Sequence, residues 1–99
     1  MNMKANLAAN NGFSIVGWSE WKPVTSEVKA VFDRATIGLA GVQYLPLEFA
    51  TQIVDGLHYR FICEASLVIP KPQPFVVMIE LYEPLGDGQP VVTGIERMG

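Results

Sequence analysis

The sequence predicts an α+β roll, with one helix packed across a four- to five-stranded antiparallel sheet. Three observations carry this prediction. Only Thr25 to Leu39 places its apolar residues at helical spacing. From Val42 onward the apolar residues alternate in extended fashion through several runs. An Asp55-Gly56 pair flanked by apolar residues lies between the first two of those runs, and Asp-Gly suits a tight hairpin because a type I′ turn needs φ > 0 at both central positions. One half-apolar sheet and one helix have a single way to hide their apolar surfaces, which is against each other.

Each element has a local reason. Residues 1–12 carry four asparagines and a glycine and read as a flexible arm, leaving 13–99 as the folded domain. Phe13 to Trp21 reads as a short extended segment, and Pro23 biases Lys22 away from helix. Thr25 is a suitable N-cap, since its hydroxyl can accept a first-turn N–H, and Glu27 favours the positive helix end. Val28, Val31, Phe32, Ala35 and Leu39 form the buried stripe, and Gly41 is a natural stop. Val42 to Val54 is an extended run bent or bulged near Pro46, which cannot donate to a ladder. A two-residue turn at Asp55-Gly56 leads into Leu57 to Ile69, whose odd positions are all apolar and whose even positions include His58, Arg60, Glu64 and Ser66. The proline cluster from Pro70 to Pro74 ends it. Phe75 to Tyr82 is a third long strand, Glu83 to Pro90 a loop, and Val91 to Met98 the last strand.

Composition narrows function. The chain has 99 residues, 49% of them hydrophobic, and a net charge of −3. That is one domain, and about 65% of the unfolded chain's surface would be buried at this size. The acidic balance argues against nucleic acid as a partner. No run approaches the ~20 apolar residues of a membrane helix, and the asparagine-broken start does not read as an export signal. With Cys63 the sole cysteine, no internal disulfide and no multi-cysteine metal site is possible, which fits a reducing compartment.

Catalytic pairings fail on geometry. Cys63 and His58 could in principle make a thiolate nucleophile, but an odd spacing on one strand points them to opposite faces. Cys63 also falls on the apolar face, where a thiol is a small buried hydrophobe. Glu80 and Glu83, three apart, face opposite ways and make no acid/base pair. No glycine-rich phosphate loop precedes the helix. The sequence thus offers no catalytic residues, no metal ligands and no cofactor site. It offers instead three segments that unite glycine with apolar side chains: Ile15-Val16-Gly17-Trp18, Gln52-Ile53-Val54-Asp55-Gly56 and Pro84-Leu85-Gly86. In a meander the turns after Val54 and after Glu83 leave the same end of the sheet. Glycine lets a backbone approach a partner, and a large apolar side chain fills a groove. The plainer reading is that Trp18 packs on the helix edge and the glycines only make turns.

These segments resemble the cystatins, and within them the stefin type, which are reversible inhibitors of papain-like cysteine proteases. The likeness runs from about Gly17 to Arg97. Gln52-Ile53-Val54-Asp55-Gly56 matches the family's Q-x-V-x-G loop at all three fixed letters. Gly17-Trp18-Ser19-Glu20-Trp21-Lys22-Pro23 resembles the stefin opening, Leu81-Tyr82-Glu83-Pro84-Leu85-Gly86 the second hairpin, and Val92-Thr93-Gly94 the strand after it. The resemblance implies a cystatin-like roll and a three-part wedge that fills a protease cleft without offering a scissile carbonyl. The wedge would comprise Val16, Gly17 and Trp18 of the trunk, Gln52 to Gly56 of the first hairpin, and Pro84, Leu85 and Gly86 of the second. Trp18, Val54 and Leu85 would supply the apolar contact. The resemblance also implies a cytoplasmic protein, mainly monomeric, with a hairpin-swapped dimer open to it through the 54–57 turn. The chain departs from the stefin pattern in three places. Val16 stands where many stefins have a glycine, Asp55 puts a charge at a place often small and neutral, and the second hairpin has no tryptophan. A cystatin-fold binding or structural module without protease-inhibitory activity is the alternative implied by the same fold.

Overall fold

The structure, a computed structural model, describes residues 17–98. The expected arm at 1–12, the start of the extended segment at 13–16 and with it Val16 lie outside the described residues. The element order is β1 (Lys22–Pro23), α1 (Ser26–Thr36), β2 (Val42–Ile53), β3 (Leu57–Leu67), β4 (Phe75–Glu83) and β5 (Val91–Met98). The strands form one antiparallel sheet in sequence order, β1-β2-β3-β4-β5, with α1 packed on one face. The α+β reading therefore holds, with five strands among the described residues.

The core is what the alternation dictates. Directly opposed residues of an antiparallel pair share a face. Phe49 lies opposite Phe61, which lies opposite Ile79. With Tyr59, Cys63, Ala65, Val77 and Leu81 these residues are buried under Phe32 of the helix. Phe32 is 2% exposed and meets the Phe61 ring edge-on at 4.8 Å between centroids. Val28, Val31 and Ala35 pack around it. Thr25 caps the helix through its Oγ1, which accepts from the Val28 N–H at 3.3 Å.

Four boundaries differ from the sequence reading. The helix stops at Thr36, so Leu39 is not part of its stripe. Thr36 Oγ1 donates back to Phe32 O at 2.8 Å, and Gly38 follows two residues later, a weak place to extend a helix. Gly41, at φ +85°, immediately precedes β2 instead of ending α1. β3 ends at Leu67, two residues early, and Leu67 and Ile69 are exposed. The chain from Gly17 to Trp21 is not a regular strand, because the Ser19 side chain replaces one ladder partner. Ser19 N–H donates to Thr51 O at 2.8 Å, while Thr51 N–H donates to Ser19 Oγ at 2.9 Å. The bulge expected at Pro46 is present as a register shift between Pro46 and Glu48, with Pro46 buried opposite Cys63.

Candidate functional site

The described parts of the three sequence-defined segments, Gly17-Trp18, Gln52 to Gly56 and Pro84 to Gly86, lie toward one end of the sheet. β2 and β4 run toward that end and β3 and β5 away from it, so the 54–56 and 84–90 connections leave it together. The trunk joins them because Ser19 is bonded to Thr51, beside Gln52 and the first hairpin.

The first hairpin is a three-residue loop, not the two-residue turn the Asp-Gly signal suggested. The last ladder pair is Ile53 with Leu57, and Val54 N–H donates across the loop to Gly56 O at 3.1 Å. The Asp-Gly pair still serves the purpose its chemistry suits: Asp55 has φ +50° and Gly56 φ +124°. Ile53, Val54 and Asp55 are exposed, with Ile53 78% so, while Gly56 is buried. A Cβ on Gly56 would lie 2.7 Å from Glu83 O and 2.8 Å from a Tyr82 ring carbon. The glycine is what allows the loop to sit against the end of β4. Asp55 has no ion pair among the described residues.

The tip's backbone is bonded from below. Tyr82 Oη donates to Asp55 O at 2.6 Å. His58 Nε2 lies 3.1 Å from Val54 O. A carbonyl only accepts, so Nε2 carries the proton in that bond. The His58 and Tyr82 rings, opposed in the ladder, lie 4.8 Å apart. In the second connection Pro84 is half-buried, and a Cβ on Gly88 would come within 2.6 Å of its ring, so this loop closes on itself. Leu85 is 76% exposed at its outer side and Gly86 has φ +75°.

Trp18 is placed differently from both sequence readings. It does not pack on the helix edge, and it is not a free tip. The Arg60 guanidinium covers its ring at 4.2 Å, on the sheet face away from α1, and Arg60 Nε donates to Glu80 Oε2 at 2.7 Å. The indole is half-buried there. This trunk anchor, together with Tyr82 and His58, was missed from the sequence. The signal was the cross-strand pairing His58–Tyr82 and Arg60–Glu80, which follows once the meander's register is known.

On the helix side, Glu83 accepts from Arg34 Nη2 at 3.1 Å and from Tyr59 Oη at 3.2 Å, tying α1 to the strand that enters the second loop. Burial, then the negative Glu83 carboxylate and its hydrogen bond, push the Tyr59 phenol up to about 12, with Arg34 acting the other way. Burial alone pushes the Cys63 thiol up to about 12. Cys63 is fully buried in the core and His58 is on the other sheet face, so the two are apart as the odd spacing required. The buried thiol is unsuited to nucleophilic work. Among the described residues no group of three or more His, Cys, Asp or Glu side chains is placed to hold a metal, and no helix is long and apolar enough to cross a membrane.

This end of the molecule presents exposed apolar side chains on two backbone-constrained loops, with Ser19 of the preceding segment fastened alongside. Comparisons of the chain with protein-family models, with curated proteins and with solved structures found no match.

Proposed function

We propose that this protein is a stefin-like, reversible inhibitor of papain-like cysteine proteases, and that its fold is a cystatin-like roll. The observation that carries the reading is the convergence of the trunk and both hairpins on one end of the sheet. The Q-x-V-x-G segment forms the first of those hairpins. One helix on an antiparallel sheet in simple sequence order is compatible with the roll.

In this reading Val16, Gly17 and Trp18, Gln52 to Gly56, and Pro84 to Gly86 enter the protease cleft as a wedge. The wedge excludes substrate and presents no peptide bond to the catalytic thiol. Affinity comes from removing Ile53, Val54 and Leu85 from water, each fully buried aliphatic side chain being worth ~1.5–3 kcal/mol. The half-covered Trp18 adds less than a free indole would. The protein acts as a monomer in the cytoplasm. Hairpin exchange to a dimer would have to undo the positive-φ turn at Asp55-Gly56.

The test is titration of papain with the full chain while peptidase turnover is followed. Reversible loss of activity at nanomolar to micromolar inhibitor supports the proposal. Unimpaired turnover at micromolar protein overturns it and favours the alternative, a cystatin-fold binding or structural module without protease-inhibitory activity.

A further inference from the structure

We infer that Tyr82 and His58 are positioning residues that fasten the first hairpin onto the second, so that the two loops meet a partner as one preformed edge. The inference rests on the reading that this edge is the binding surface, and it adds residues which that reading does not include.

The argument begins with the tip's own weakness. Three loop residues, two of them at positive φ, project beyond the last ladder pair, and a lone exposed tip of this kind frays. Its one internal bond is Val54 N–H to Gly56 O. Two consecutive carbonyls, of Val54 and Asp55, are instead held by side chains from the strands beneath. The Tyr82 bond, at 2.6 Å, is short for a hydroxyl donor. Tyr82 belongs to β4, one residue from Glu83 and two from Pro84, so the strand that delivers the second loop also grips the first. His58 adds its bond to Val54 O and lays its ring on Tyr82 at 4.8 Å. Gly56, closed to within 2.7 Å of Glu83 O for any Cβ, shows that the contact leaves no slack. Both side chains are half-buried, where Ile53, Val54 and Leu85 are exposed. Their contribution is to order the loops before binding, which removes a cost that a mobile loop would meet on association.

Tyr82→Phe deletes the hydroxyl and keeps the ring. His58→Leu deletes the second donor, and His58→Gln, which still carries an N–H, serves as the conservative rescue. Two quantities are read on the full chain: amide hydrogen exchange across Ile53–Leu57, and the inhibition constant for papain. For Tyr82→Phe the expected result is exchange of the Val54 amide, the loop N–H held in a hydrogen bond, faster by ~10-fold and an inhibition constant raised by 3- to 10-fold, the range one neutral hydrogen bond spans. Exchange in the core of β3 should stay unchanged. The double variant Tyr82→Phe/His58→Leu should lose more, and Tyr82→Phe/His58→Gln less. Loop exchange equal to that of the unaltered chain overturns the inference, and so does faster exchange with an unaltered inhibition constant. If the unaltered chain leaves papain untouched, the inhibitor reading fails on its own, and the exchange data alone then decide whether Tyr82 and His58 hold the tip.

Discussion

Replacing Gly56 by alanine tests the hairpin more sharply than any other single change, because two independent penalties act on one added methyl group. The first is conformational. At φ +124° an L-residue is strained, at a cost of about 1–3 kcal/mol. The second is steric. The new Cβ would lie 2.7 Å from Glu83 O, where 3.4 Å is an ordinary contact, so the loop must retreat by about 0.7 Å from backbone that cannot rotate away. That retreat weakens the Tyr82 to Asp55 bond, worth about 1 kcal/mol. The sum is ~2–4 kcal/mol, and at 4–8 °C per kcal/mol for a domain of this size the thermal midpoint should fall by roughly 8–32 °C. Two other glycines calibrate the result. Gly86 has φ +75° but open space around a Cβ, so Gly86→Ala should show the conformational penalty alone. Gly17 has neither a positive φ nor a neighbour, so Gly17→Ala should leave the midpoint where it is. Thermal unfolding followed by circular dichroism gives all three values. A Gly56→Ala midpoint as high as that of Gly86→Ala would refute the close seating of the first hairpin on β4.

Four further outcomes are expected. Phe32→Ala removes the ring that sits on Phe61 and should cost ~3–5 kcal/mol in urea unfolding; an unchanged denaturation midpoint would contradict the helix-on-sheet core. Trp18→Ala should weaken papain inhibition by ~8-fold, taking roughly 50 Å² of indole as still open to a partner at 25 cal/mol per Å². It should also lower the midpoint slightly through loss of the Arg60 stacking, worth ~0.5–1 kcal/mol, so inhibition intact after this change excludes Trp18 from the interface. Asp55→Ala should leave inhibition equal or tighter, since a charge without an ion pair is costly to desolvate in a closing interface; a large loss would mean that Asp55 meets a cation on the partner. Cys63 and Tyr59 hold their protons to about 12 in the native state against ordinary values of 9.0 and 10.0. The unfolded chain therefore binds fewer protons in alkali, and stability that is complete below about pH 9 should drain away as the pH rises toward 12. Urea midpoints that stay flat across that range would show that neither group is buried as described.

How much of this was legible in the sequence depends on the range of the interaction that decides each feature. Local chemistry settled the helix start, because Thr25 caps its own first turn. It settled the bulge, because Pro46 has no N–H to give. It also settled the alternation of β3, because burial of Tyr59, Phe61, Cys63 and Ala65 needs only a period of two. The shared end of the two hairpin loops follows from counting strands. The helix end did not follow from local chemistry: the apolar spacing continued to Leu39 while the backbone turned at Thr36, and spacing carries no information about where hydrogen bonding stops. The Asp-Gly pair signalled a reversal and its positive φ values, but whether two or three residues lie outside the ladder was fixed by how β3 registers on β2 and β4.

By itself, then, the sequence determined the α+β class, the core face and the shared end of the two hairpin loops, all of which rest on periodicity, on strand order and on residues adjacent in the chain. Tertiary structure alone decided how those loops and Trp18 are held. Trp18 lies under Arg60, forty-two positions later in the chain, and Arg60 is itself fixed by Glu80. Asp55 O is reached by Tyr82 from a strand that is not its hairpin partner. Contacts of that separation depend on register across three strands, and a shift of one residue in any of them would turn every side chain involved to the opposite face.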